Sequence, residues 1–425
     1  MKIILPVVAV LIILFAPPLF SQEKNGLISA PQTAGESFSE TVVSIEVIGL
    51  KRTKLHVAKY PLEKFLGQKR SEINENDVIA AVKDTGVIEP VSAEFVDTGA
   101  GFILRVTVEE KWSIFPFPFV YAGSNGESNF GLFFCDFNAF GLRDMAVFGG
   151  TYGSNGWSAF LMYNNTPDRG GIPGWTIVAL FNQKDNEDVD RHENTIRAYT
   201  ADSLRASFGL NYTFKEIFTT SFTFSFSGIF LEDNDVLLNN LPGKEAVYIG
   251  FNPGISVRSS DWDGFFLSNQ SVSFDYTYNL AISGSSFHQI EFRGNYEKSI
   301  FPGFRTVLKG GASWKSTNDS LFEDGQNKAQ VNILPKNYSA FYYTGLSAGL
   351  EKYLVKFKWG TLSVLGSWQC VFSGGDITGL KFDHGPSGGF LIYLSRVALP
   401  AIGTGLSYNM VSGLYQFSFS VGMSF

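Results

Sequence analysis

At the end of the chain Tyr415, Phe417, Phe419, Val421, Met423 and Phe425 alternate with Gln416, Ser418, Ser420, Gly422 and Ser424. Successive side chains of a strand point to opposite faces, so one face of this segment is apolar and the other small or polar. Phe222, Phe224 and Phe226 alternate likewise with Ser221, Thr223, Ser225 and Ser227, and Val272, Phe274, Tyr276, Tyr278 and Leu280 with Ser271, Ser273, Asp275, Thr277 and Asn279. A water-soluble sandwich also alternates, but it charges the face it turns to water. Here the polar face is mostly Ser, Thr, Asn, Gln and Gly, and the strands run to roughly 10–16 residues, against a usual five or six. Lipid against the aromatic face and a wet interior against the other account for both features. The pattern predicts a transmembrane β-barrel.

Composition agrees. Aromatics are 15% of the chain with 41 Phe, charged residues only 17%, yet mean hydropathy is +0.05, so the apolar residues are dispersed among polar ones. Beyond the N-terminus no run of about 18 apolar residues exists, which argues against a helical membrane protein. With 33 basic against 40 acidic side chains, net −7, the surface does not suit nucleic acid. Two cysteines exclude a disulfide framework. Cys135 and Cys370 fall on strands that are not neighbours and read as small barrel residues.

The chain divides into four parts. Residues 1–21 have one cation, an apolar run from Ile3 to Phe15 and a small residue before a polar start, the pattern of a cleaved signal peptide. Residues 22–40 read as a polar linker. Residues 41–111 read β-α-α-β-β, a small α+β domain, with Asn74 to Asp77 capping the second helix. Residues 112–425 hold sixteen predicted strands near 113–122, 128–136, 143–152, 157–164, 174–183, 203–214, 217–230, 246–259, 264–280, 285–300, 303–317, 339–354, 359–372, 387–398, 401–409 and 414–425. The count is even, as bacterial barrels require. The long connections at 184–202, 231–245, 318–338 and 373–386 all fall on one side and the short ones on the other. Short periplasmic turns and long outer loops are the expected asymmetry, and both chain ends then lie in the periplasm.

No residue set points to catalysis, a cofactor or a metal. His192, His288 and His384 lack a nucleophile motif beside them; only Asp383-His384, in a predicted outer loop, is a neighbouring pair. Asp185 to Asp190 lacks the Gly and terminal Glu of a calcium loop. The first barrel strand, by contrast, contains Pro116 and Pro118. Proline carries no N–H and inside a strand marks an edge. If that edge faces the last strand, with Phe417 and Phe419, the closing ladder is weak and a client strand can add to it. The alternative is that Phe115 to Phe119 is still a connector, with pairing starting at Val120.

Several stretches together resemble the BamA/TamA-type outer-membrane assembly barrels, with one POTRA domain. Ile45-Glu46-Val47-Ile48-Gly49-Leu50-Lys51-Arg52-Thr53 is similar to the start of a POTRA module. Asp136 to Gly141 looks like the family's Asn-x-x-Gly turn, and Gly388 to Pro400 and the C-terminal signal (Tyr415, Phe417, Phe419, Phe425) look like its closing strands. The resemblance implies a monomeric barrel in the bacterial outer membrane, an N-terminal domain in the periplasm, and unfolded client proteins as partners whose insertion or translocation it assists without a cofactor. A passive or gated pore is the alternative, and a barrel hydrolase a second. The resemblance also implies a lumen loop whose Arg-Gly-aromatic motif pairs with acids on the wall. Here Lys336, Asn337 and Tyr338 stand at that motif, Glu351 keeps one acid, and Gly366 stands where the family carries Asp. A Lys336–Glu351 pair is the expectation.

Overall fold

A computed structural model describes residues 40–122, 128–165, 173–214, 217–232, 245–263, 266–316, 324–358, 360–394 and 401–421. The predicted signal peptide and nearly all of the linker lie outside these residues, as does Phe425.

The N-terminal domain comprises β1 (Val42–Ile48), α1 (Leu55–Lys59), α2 (Glu75–Lys83), β2 (Ile88–Asp97) and β3 (Phe102–Glu110), with sheet order β1-β3-β2. Its apolar positions converge on one core of Val42, Leu62, Phe65, Val78, Val82, Ile88, Leu104 and Val106. Asn74 caps α2 by accepting the Asn76 N–H at 2.9 Å. Gly49, at φ +106°, ends β1 where a Cβ would stand 2.0 Å from the Val108 carbonyl oxygen, so only glycine fits.

Sixteen antiparallel strands follow in one sheet: β4 (Ile114–Ala122), β5 (Ser128–Ala139), β6 (Asp144–Gly153), β7 (Gly156–Asn165), β8 (Gly174–Val189), β9 (Thr195–Phe214), β10 (Phe218–Leu231), β11 (Glu245–Asp263), β12 (Phe266–Ser283), β13 (Phe287–Phe301) and β14 (Phe304–Lys315), then β17 (Tyr342–Phe357), β18 (Gly360–Gly374), β19 (Lys381–Leu394), β20 (Ala401–Tyr408) and β21 (Tyr415–Val421). Between β14 and β17 lie the two-residue strands β15 (Asp324–Gly325) and β16 (Ser339–Ala340), paired to each other. The large sheet runs in sequence order, with β4 and β21 at its edges.

The alternation sets which face is outside. Phe222 and Phe224 on β10, Ile255 and Val257 on β11 and Leu346 and Leu350 on β17 are exposed, whereas Ser347, Glu351, Ser363 and Gln369 are buried. An exposed apolar band of this extent marks a surface that meets a membrane or a partner. The sheet curls far enough that strands distant in its order touch: Phe266 of β12 and Tyr393 of β19 meet at 5.9 Å between ring centroids.

The strand boundaries depart furthest from the sequence reading at two places. The β8–β9 hairpin runs on to Val189 and Thr195, so most of the predicted loop 184–202 is strand. Strand β19 begins at Lys381, which takes Asp383 and His384 out of the predicted outer loop; Asp383 is fully buried, and His384 stacks on Trp368 and Phe382. The two side chains of the supposed pair thus leave the strand on opposite faces.

Candidate functional site

The connection between β14 and β17 folds into the interior. A single 3-10 turn (Gln326–Ala329) is followed by Gln330 in the left-handed region at φ +55°. Ala329, Val331, Ile333 and Leu334 then pack on Tyr343 and Val371 of the wall. The wall is glycine where the loop backbone touches it. A Cβ on Gly311 would lie 2.3 Å from the Lys328 carbonyl oxygen, and one on Gly345 2.8 Å from that of Ala329.

Polar contacts carry the loop across the interior. Lys328 pairs with Glu291 of β13, which Arg293 also contacts at 2.7 Å. The Gln330 amide donates to the Gly310 carbonyl at 2.8 Å. Asn332 reaches the closing strands: its N–H donates to Gln369 (2.9 Å), its side-chain amide to Ser418 of β21 (3.1 Å), and its carbonyl accepts from Ser407 of β20 (2.5 Å).

Lys336 and Glu351 do not meet. Lys336 is exposed, and Glu351 is fully buried on β17, bonded to Arg305 Nε (2.6 Å), Tyr393 Oη (2.8 Å) and Ser363 Oγ. Arg305 stands directly opposite Glu351 in the β14–β17 ladder, nearer than any loop residue. It also donates to Glu297 (3.0 Å) and the Tyr393 hydroxyl (2.6 Å), with its guanidinium over the Phe266 ring at 5.1 Å. A forked guanidinium bridges two acids in this way and an ammonium does not. Phe266, Val307, Leu365 and Leu391 close round the group. Gly366 pairs with Leu350, which faces outward, so the inward residue that completes the site is Ser363. Of the remaining motif residues, Tyr338 Oη contacts Ser373 Oγ at 3.1 Å and the Asn337 carbonyl accepts the Val189 N–H at 3.3 Å.

That last contact comes from the β8–β9 hairpin, whose tip bends across the outer mouth. Arg191 pairs with the buried Asp383 (2.6 Å) and donates to the Phe382 carbonyl (3.0 Å), and Gln416 of β21 donates to Glu193 (2.8 Å). Asp190 shapes the tip by accepting the N–H groups of His192 and Asn194. The Asn194 side-chain and backbone donors hold its carboxyl below the usual range, with His192 adding to them. The acids expected in a free loop are engaged: Asp188 with Arg197, Glu187 with Thr195, Asp185 with Thr200.

At the sheet edges, β4 pairs continuously with β5 from Ile114 to Ala122, through both prolines. A residue without an N–H interrupts an antiparallel ladder at a hydrogen-bonded position but not at the positions between. Pro116 and Pro118 therefore direct their nitrogens away from β5, toward the open edge. Across that edge no ladder to β21 exists among the described residues. Phe115 to Phe119 is strand, not connector. Tyr415 and Phe417 are exposed on β21, and the side chain of Phe419 lies outside the described residues.

The N-terminal domain meets this sheet at the turn after β5. Arg52 binds Asp136, Asn138 Nδ2 donates to Thr53 (2.9 Å), and the Lys54 N–H donates to the Gly141 carbonyl (2.8 Å). Gly141, at φ +77°, leaves room for the Arg52 carbonyl, which a Cβ would approach to 2.1 Å. On the other side of the same loop Glu110 accepts the N–H groups of Lys51 (2.9 Å), Arg52 (2.8 Å) and Thr53 (2.6 Å).

The chain is similar in structure to CdiB from Escherichia coli (TM-score 0.60, 14% identity, 90% of this chain and 75% of that one) and CdiB from Acinetobacter baumannii (0.58, 13%, 91% and 74%). It is also similar to BamA from Haemophilus ducreyi lacking POTRA domains 1–3 (0.50, 12%, 89% and 84%). The fold is that of a BamA/TamA-type barrel. No protein-family model matches the chain, and no curated protein matches it in sequence. Within this fold the wall itself supplies the arginine expected on the loop. Sequence carried a signal for it: the inward faces of β13 and β14 hold Glu291, Arg293, Glu297, Arg305, Lys309 and Lys315, where other strands show mostly Ser, Thr and Asn.

Proposed function

We propose that this chain is an outer-membrane barrel that assists the insertion or translocation of client proteins, with its N-terminal domain, a POTRA-like module, in the periplasm. The edge of β4 that faces away from β5, with its two prolines, carries this reading. Two of its donors are absent at proline, so closure against β21 is weakened and an incoming strand competes with little to displace. The N-terminal domain offers a second open edge at β2, since residues 67–69 already cover the outer side of β1. The barrel acts as a monomer and needs no cofactor in this reading.

A passive pore is the second reading, and the filled interior argues against it. The loop, the Arg305 cluster and the hairpin tip occupy successive levels of the lumen. The test is a disulfide between Val120→Cys and Phe417→Cys with Cys135 and Cys370 changed to serine. Locking the seam should deplete client proteins from the outer membrane, as read by proteomics of that fraction, and reduction should restore them. Efficient locking without any such loss would defeat the proposal.

A further inference from the structure

The outward face of β11 to β17 has a groove of about 480 Å³. Its floor is Gly294 and Gly310, which face each other across the β13–β14 ladder, and its walls are Val257, Val272, Phe292, Tyr296, Leu308 and Leu346. These two glycines differ from Gly311 and Gly345, whose space is taken by the lumen loop. A Cβ on Gly294 would meet only the Phe292 ring, at 3.9 Å, and one on Gly310 nothing nearer than 3.4 Å. The space over them is open.

The groove has polarity along its length. Toward the short Pro302-Gly303 turn it is lined by Ser259 and Gln270. Lys298 follows one outward step beyond Tyr296, about 7 Å along the strand. Lys352 lies opposite Phe304, with its ammonium 5.3 Å from that ring. Both lysines are exposed, and the outward positions of β13, β14 and β17 carry no carboxylate among the described residues. Two cations with no carboxylate on the outward faces of their own strands or of β14 between them, at the end of an apolar trough, match an amphiphile with an anionic head.

We propose that this groove is a binding site for one anionic phospholipid, an acyl chain over Gly294 and Gly310 and the phosphate at Lys298 and Lys352. The size falls within the range of ligand sites, about 300–1,000 Å³. Juxtamembrane lysines each favour an anionic headgroup by about fivefold, so both together give about thirtyfold. The inference rests on the membrane-spanning reading and, through the short turn, puts the lipid in the periplasmic leaflet.

The test uses the full chain in mixed micelles of phosphatidylglycerol or phosphatidylcholine, with native mass spectrometry counting retained lipid. One phosphatidylglycerol should survive detergent stripping, and phosphatidylcholine about thirtyfold less. K298Q/K352Q should abolish that preference, and G310L, which has room for its side chain, should abolish retention while heat-modifiable migration stays intact. Equal retention of both lipids by the unaltered chain, or unchanged retention in G310L, would overturn the site. A chain that is monodisperse without detergent would instead overturn the membrane reading beneath it.

Discussion

Replacing Arg305 with methionine keeps much of the side chain's length and removes its charge. The residue is 1% exposed, and its partners Glu297 and Glu351 are 5% and 0% exposed. Two carboxylates and the Tyr393 hydroxyl share this one guanidinium, so the substitution leaves two buried acids with Lys309 as the nearby cation and without the fork that bridged them. Removing one partner of a buried pair costs about 3–5 kcal/mol. One of the stranded acids can take up a proton, which holds the loss within that range rather than doubling it. The measurement is a urea midpoint for the chain refolded in detergent, followed by heat-modifiable migration. R305K should fall between, because a single ammonium cannot bridge both acids. Adding E351Q to R305M should return part of the loss, a coupling that a double-mutant cycle reads directly. K336A should stay within about 0.5 kcal/mol of the parent, as exposed positions do. An R305M midpoint equal to the parent's, or a further loss on adding E351Q, would refute the argument that Arg305 is the cation the wall acids require.

Gly311→Val places its Cβ against the Lys328 carbonyl and should expel the lumen loop, raising protease cleavage within 324–341, whereas Gly310→Ala on the outward face should not. R191A leaves Asp383 buried without its cation and should loosen the hairpin over the mouth, so planar-bilayer conductance should rise. Glu110 is pushed up by burial but pulled down further by the N–H groups of Thr53, Arg52 and Lys51, so its folded pKa lies below the unfolded value. Its contribution is therefore complete above the unfolded carboxylate range, near 4.3, and disappears as pH falls through the folded value. E110Q should be less resistant than the parent to proteolysis near 49–54 at pH 7, and the two should converge at acid pH.

Sixteen strands were legible because a lipid-facing strand must be apolar on one side, and that constraint writes a period of two into the residues themselves. The signal fails where the constraint lapses. Beyond Gln183 the β8–β9 hairpin rises out of the apolar band, and Lys184, Asp185, Asn186, Glu187 and Asp188 are polar on both faces although still paired. Pro386 similarly masked the start of β19, because proline argues against a central strand. The lumen site was less legible. Family likeness placed the cation on the loop, at Lys336, yet position in sequence says nothing of which wall residue stands opposite Glu351. Only the ladder register puts Arg305 there.

The described part of β21 is tied to the interior and to the outer hairpin. Gln416, near its first residue, is held by the hairpin tip, and Ser418 by Asn332, while Arg191 fastens β19, two strands along, at the same rim. The hairpin tip and the interior loop thus stitch the closing strands together at this rim, so separating β21 from the rest of the structure here requires these ties to break first.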